Sequence, residues 1–457
     1  MSSSVEYHLR HRSTAELISY PYSYANGAFS NLLLPAIIVL NRRYYPNKHG
    51  SAATVGTEAL SMSIAQAFKS MKVFCGLILY QRDEAIDEPT ITTQVINFNL
   101  CAILAFNFNM KPPGVENAIS LAASTLMENS GLKGTPMLYH QTDTLLEYHP
   151  RGLPFCVTHH APFHRHFSGI FSEVMAAHAY GDADQAEHLA RKQEVGIKLL
   201  KHRVNGHVLQ ISRLQGKLLL SYGVNAAKIR EICPSIQLSS SSYHVESEIA
   251  EVFNTGGVTL FTAVARVDYF KNVDLLVDVA VALWSQNIAV RLFIAGGASM
   301  DSTELHELSK KVPRQFTRYA TFRSKLSRTS LHALFRLAKD SGVFICPSRY
   351  ETLGVTPLEA ALSGVTSLIA NSSHVEASRY FPERFRFQPV KEELCQTILN
   401  LQGRNLASLG EILRLHVEAQ VSDQRFRMDL YDAWAEFSMQ SKPMDFHHFP
   451  CQGNELA

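Results

Sequence analysis

The chain has 457 residues, 46% of them hydrophobic and 18% charged, with a formal net charge of +2. This is a globular composition, too long for one ordinary core, so two domains are expected. Basic residues are spread along the chain, which argues against a nucleic-acid binder and leaves open only weak peripheral attraction to an anionic membrane surface.

In chain order, the polar start MSSSVEYHLRHR leads into no signal-peptide pattern. The apolar runs LLLPAIIVL (32–40) and VINFNLCAILAFNF (95–108) fall short of the ~18–20 residues that span a bilayer. Strands are expected at 35–41, 73–80, 92–100, 135–141 and 153–160, and helices at 54–70, 114–130 and along the polar stretch 171–202. The serine-rich stretch LSSSSYH (238–244) reads as a connector and marks the main domain boundary. Beyond it, VTLFTAVA (258–265), VRLFIAGG (290–297), GVFICPS (342–348) and VTSLIA (365–370) alternate with helical patterns, among them 272–287. Short, nearly all-apolar strands between amphipathic helices predict a parallel, doubly wound sheet covered on both faces. Seven scattered cysteines without a C-x-x-C predict reduced thiols in a cytoplasmic protein.

The residues that could carry chemistry fall just past expected strand ends, where open α/β sheets bind ligands. Arg266 follows VTLFTAVA and Lys271 comes five residues later. Two cations on a loop leading into a helix suit a diphosphate, and equally a solvated basic loop. Gly296 and Gly297 allow close approach of a ligand, or a tight turn, and their spacing is not that of a dinucleotide fingerprint.

The stretch SRYETLGVTPLEAALSG (348–364) holds Glu351 and Glu359 eight positions apart. Thr356, Pro357 and Glu359 predict a capping box with Thr356 as N-cap, in which Glu359 accepts from the Thr356 amide. Glu351 has no such local role. Leu353, Gly354 and Val355 could present successive amides to an anion at the positive helix end. A phosphate flanked by two carboxylates suits a sugar nucleotide. In CVTHHAPFHRHF (156–167), Pro162 and the lack of a carboxylate oppose a metal site among His159, His160, His164 and His166. One histidine at the strand end, facing a cleft as a polar or proton-handling group, is the better functional reading. Gly50 stands on a loop of small residues after the first strand.

Together these segments resemble the retaining glycosyltransferases of the GT-B fold, specifically family 4 (glycosyl transferases group 1). The resemblance rests on the Arg–Lys pair, the IAGG strand end and the E-x7-E pair of PSRYETLGVTPLEAALSG, and is specific over about 255–376. It departs at Ala265, Asn272 and Ser51, where the family has glycine, and at ANSSHVEA (370–377), where relatives often have Gly-Gly before a Glu. The resemblance implies two Rossmann-like domains facing across a cleft. They would be an acceptor domain (1–245) and a donor domain (246–419), followed by a helix crossing back (420–440) and a tail (441–457). It implies that Arg266 and Lys271 grip the donor diphosphate, Glu351 contacts the transferred sugar and Glu359 the ribose. Leu353, Gly354 and Val355 would hold phosphate, with Gly50, Gly296 and Gly297 beside the donor and His160, in preference to His159, near the reacting sugar. The implied donor is a UDP- or GDP-type sugar and the acceptor a small molecule, saccharide or lipid, with no metal, cofactor or nucleic acid. A phosphorylase, nucleotide-sugar epimerase or coupling enzyme on the same fold, or a non-catalytic sugar-nucleotide-binding subunit, are the alternatives.

Overall fold

The computed structural model describes residues 33–45, 56–180, 183–238, 245–254, 256–297, 299 and 302–441. Strand β1 (Ala36–Asn41) reads AIIVLN and is buried over its first five residues. A strand apolar on both faces needs a neighbour on each side and a helix above and below. β1 accordingly pairs in parallel with β2 (Cys75–Arg82) and β5 (Met137–His140). The sheet extends through β4 (Asn99–Phe106) to the edge strand β3 (Thr90–Ile96), and on the other side through β6 (Phe155–Val157), β7 (Gly206–Gln210) and β8 (Ile229–Glu231). Its order is β3-β4-β2-β1-β5-β6-β7-β8, parallel except for the β3–β4 hairpin.

That hairpin corrects the single strand expected at 92–100. Asn97 and Phe98 both have positive φ, 50° and 61°, and reverse the chain in a two-residue turn. No glycine announces the turn, so an apolar stretch that folds back on itself reads as one strand. The stretch 171–202 is likewise not one helix. Helices Glu173–Tyr180 and Ala183–His202 cover most of it, and the end of His164–Phe171 meets them at Ser172, whose φ is 72°.

The second sheet comprises β9 (Val258–Ala263), β10 (Val290–Ala295), β11 (Ala320–Arg323), β12 (Gly342–Cys346), β13 (Thr366–Ala370) and β14 (Arg386–Phe387). It is wholly parallel, in the order β11-β10-β9-β12-β13-β14. Counted within the sheet this is 3-2-1-4-5-6, whose direction of winding reverses between β9 and β12. The first sheet reverses between β1 and β5. Each reversal opens a crevice at the strand C-termini.

Helix Asp423–Ser441 returns to the first sheet. The Trp434 indole N–H donates to the Leu34 carbonyl at 2.9 Å, and the Leu34 amide donates to Ser438 Oγ at 3.0 Å. Trp434 meets Phe68 edge-on at 4.7 Å and Phe437 stacks on His207 at 4.4 Å.

Two further ties cross between the sheets. Glu376, after β13, accepts from the Arg213 and Leu214 amides at 2.9 and 3.0 Å and from Ser212 Oγ at 3.3 Å, capping helix Arg213–Ser221. Phe167 packs on Phe270 and Tyr350 at ring distances of 4.5 and 4.9 Å. Among the described residues the cysteines are buried free thiols, no helix is long and apolar enough to cross a membrane, and no group of three His, Cys, Asp or Glu side chains could hold a metal.

Candidate functional site

Between the two sheets lies a cleft of about 270 Å³, lined from one side by His160 and Ser212 and from the other by Lys271, Arg328, Glu351 and residues 352–357. Its walls are built loop by loop.

Past β9, Asp268 Oδ1 accepts from the Phe270 and Lys271 amides, both at 3.0 Å, folding the loop into a tight local turn. The turn delivers Lys271 into the cleft. Asn272 follows with φ 51°, a left-handed conformation that asparagine tolerates better than other non-glycine residues. Its side-chain amide donates to the Pro347 carbonyl at 3.0 Å, tying this loop to the one past β12.

Past β12, the backbone of Glu351 is clamped on both sides. Its amide donates to the His374 carbonyl at 2.8 Å, and its carbonyl accepts from the Glu376 amide at 3.1 Å. Its carboxylate is thereby aimed at Lys271, with Nζ 2.5 Å from Oε1, and Ser348 Oγ donates to the same oxygen at 2.9 Å. The side chains are only 20% and 15% exposed. Burial, the largest influence, pushes the Lys271 ammonium down, and the Glu351 carboxylate outweighs it, so the group titrates above its ordinary 10.5.

The helix after this loop runs Val355–Leu362 with Gly354, not Thr356, as N-cap. Gly354 has φ 85°, and a Cβ there would sit 2.9 Å from the Ala377 Cβ, so conformation and packing both demand glycine. The expected capping box is therefore absent. With the helix starting at Val355, Glu359 lies two positions further in, where it is buried and accepts from Arg328 Nη2 at 2.6 Å, with His332 Nε2 at 3.3 Å. Leu353, Gly354 and Val355 line the cleft at the positive end of the helix.

The two histidines of the VTHH strand end have different surroundings. His159 is buried, with Nδ1 2.7 Å from Asp143 Oδ1, and its backbone exchanges two hydrogen bonds with the Gln210 side chain. His160 is half-buried, with Nε2 3.4 Å from Gln141 Oε1. Burial and then the neighbouring His159 depress its imidazole to about 4, against the opposing pull of Asp143, which makes it a neutral ring at neutral pH. His164 and His166 lie on the next helix, and His166 faces Tyr350 and His374.

Other expected residues stand apart. Arg266 is 62% exposed, 3.2 Å from Asp268, and is not part of the cleft lining. Gly296 and Gly297 are also absent from that lining. A Cβ at Gly296 would strike Val264 and Val267 side chains at 2.7 and 2.9 Å, and Gly297 has φ 78°. Both serve the close packing of the β10 end. Gly50 lies outside the described residues. Arg328 was not anticipated from sequence, although one signal exists: it opens helix Arg328–Leu337, where the macrodipole disfavours a cation unless a carboxylate answers it.

The fold has solved counterparts. Sucrose-phosphate synthase from Thermosynechococcus elongatus is 14% identical, with a TM-score of 0.57 over 88% of this chain and 98% of that one. The catalytic domain of starch synthase IV from Arabidopsis thaliana, bound to ADP and acarbose, is 12% identical, with a TM-score of 0.58 over 89% and 99%. The Anabaena protein HepE, in complex with UDP and glucose, is 12% identical with a TM-score of 0.58 over 87% and 98%. The fold is GT-B. Within it, residues 246–377 match the family model described as Glycosyl transferases group 1, and this segment contains Lys271, Arg328, Glu351 and Glu359. No curated protein sequence matches the chain.

Proposed function

We propose that the protein is a retaining glycosyltransferase of family 4, transferring a sugar from a nucleoside-diphosphate donor to an acceptor bound against the first sheet. The observation that carries this reading is the Lys271–Glu351 pair at the strand ends of the second sheet, beside the positive end of helix Val355–Leu362. A fixed cation and helix amides suit the charge that grows on a departing diphosphate, the kind of stabilisation that often supplies the largest part of catalysis. Glu351, already oriented by Ser348, would accept from hydroxyls of the transferred sugar.

In this reading the bond from the sugar's anomeric carbon to the diphosphate oxygen breaks, and a bond to the acceptor oxygen forms on the same face. The acceptor's proton passes to the departing phosphate. Neutral His160 would offer a hydrogen bond across the cleft without competing for that proton. Arg266 joins the diphosphate only if its exposed side chain swings inward from Asp268. UDP and ADP in the solved counterparts support a nucleotide donor, and free buried thiols support a reducing, cytoplasmic setting.

The test incubates the protein with UDP-, GDP- and ADP-sugars and a panel of sugar, small-molecule and lipid acceptors, and identifies the product by mass spectrometry and NMR. A glycoside with the donor's anomeric configuration is expected. A product of inverted configuration, or a sugar phosphate or epimer in place of a glycoside, would overturn the reading.

A further inference from the structure

Helix His164–Phe171 belongs by sequence to the first sheet, where it follows β6, yet its aromatic side chains pack against the second. It is anchored on its own side by the buried Gln193. That side chain accepts from the His164 amide at 2.9 Å and donates to the Pro162 carbonyl at 2.8 Å, where the Tyr180 hydroxyl also donates at 3.0 Å. Phe167, 1% exposed, then reaches across to Phe270 at 4.5 Å and Tyr350 at 4.9 Å. Phe171, one turn on, meets the same two rings at 5.2 and 6.1 Å.

Phe270 and Tyr350 are the residues immediately before Lys271 and Glu351. Their loops are joined at that point, because the Arg349 amide donates to the Phe270 carbonyl at 2.8 Å. A third loop enters through His374, whose carbonyl receives the Glu351 amide at 2.8 Å. The His374 ring stacks on Tyr350 at 6.0 Å and faces His166 at 5.8 Å. Three loops that fix the Lys271–Glu351 pair therefore bear on one helix of the first sheet. Close-packed interiors transmit displacement, so removing the Phe167 ring lets the backbones at Phe270 and Tyr350 shift. An Nζ–Oε1 contact of 2.5 Å tolerates little such movement, and a catalytic group misplaced by about 1 Å can lose about a hundredfold in rate. We propose that Phe167 is a positioning residue: packed on both Phe270 and Tyr350, it holds Lys271 and Glu351 at pairing distance, so the pair depends on docking of the first sheet. This rests on the reading of that pair as the catalytic centre.

The test is hydrogen exchange of the whole chain, read by mass spectrometry over 268–271 and 349–351 and over strands β9 and β12. In F167A the two loops are expected to exchange about tenfold faster or more, the scale of losing two aromatic contacts, with the strands unchanged. F167L, which refills most of the volume without the ring, should recover part of the protection. It also serves as the deciding variant if F167A does not fold. F106A is the control: it removes a buried ring of the first sheet that packs on Tyr80 and Tyr148, and should lower the thermal midpoint without loosening either loop. Loop exchange unchanged in folded F167A and F167L, raised equally in β9 and β12, or raised as much by F106A, would overturn the positioning role. Exchange is read without substrate. Failure of wild type to form a glycoside therefore overturns the proposed reaction, while loop-specific loosening in F167A still supports the coupling.

Discussion

Replacing Lys271 by methionine removes the ammonium while keeping the side-chain length, and strands the Glu351 carboxylate in a wall of the cleft. Taking one partner from a buried ion pair costs about 3–5 kcal/mol. Here residual exposure of 15–20%, and the Ser348 hydroxyl on the same oxygen at 2.9 Å, bring the expected loss to about 2–3 kcal/mol. Removing the stranded charge as well, in K271M/E351Q, should recover about 1–2 kcal/mol relative to additivity. The chain's two tryptophans make the measurement local. Trp284 lies on helix Val273–Ser285 and donates to the Val290 carbonyl at 2.8 Å, so in a W434F background its fluorescence follows urea unfolding of the second sheet. The pH dependence has a definite sign. Lys271 titrates above 10.5 when folded, so the pair's stabilisation is fully present below that pH and fades as alkali deprotonates the folded lysine. The gap between wild type and K271M should hold up to about pH 10.5 and close only as the pH rises beyond it. Coupling under about 0.5 kcal/mol, or a gap that widens in alkali, would refute the pairing.

His160 provides the opposite case. Its folded value near 4 lies below the ordinary 6.5, so the unfolded chain takes up the proton first and stability falls as pH drops through that interval. H160N should flatten the acid arm of the urea midpoints, and an NMR titration placing the wild-type ring near 6.5 would contradict this. In E376A, helix Arg213–Ser221 loses its carboxylate cap and with it two charge-assisted amide bonds of about 1.5–3 kcal/mol each. Small-angle scattering should report a larger radius of gyration as the sheets part, and an unchanged radius and stability would show that the tie carries no load. G354A forces a left-handed alanine, at about 1–2 kcal/mol, against the Ala377 methyl. A lower urea midpoint and weaker nucleotide binding are expected, and full tolerance of the methyl would mean that the helix start does not need its present geometry.

Much of the fold was legible because its cues are local. All-apolar strands such as AIIVLN and GVFIC announce a buried parallel sheet, and their alternation with amphipathic helices announces the winding. What stayed hidden had weak local cues. The Asn97–Phe98 turn lacks glycine, β8 and β14 are three and two residues long, and GHVLQ in β7 shows no clean alternation. At the site, strand ends pointed to Lys271, Glu351 and the 353–355 helix start, while the side on which each side chain emerges did not follow from spacing. Thus Arg266 and Gly296, next to the cleft in sequence, are not on its wall.

The sequence by itself determined two doubly wound sheets, the position of their loops and the residue types available there. Tertiary structure decided the partners. Thr356, Pro357 and Glu359 formed a complete local capping argument, but Gly354 is the N-cap and Glu359 pairs instead with Arg328, 31 positions away. Lys271 meets Glu351 across 80 positions and Ser212 meets Glu376 across 164. Periodicity and capping act within a turn or two of chain, whereas a buried carboxylate is satisfied by whichever donor the packed sheets bring to it. No pattern in either segment alone names that donor.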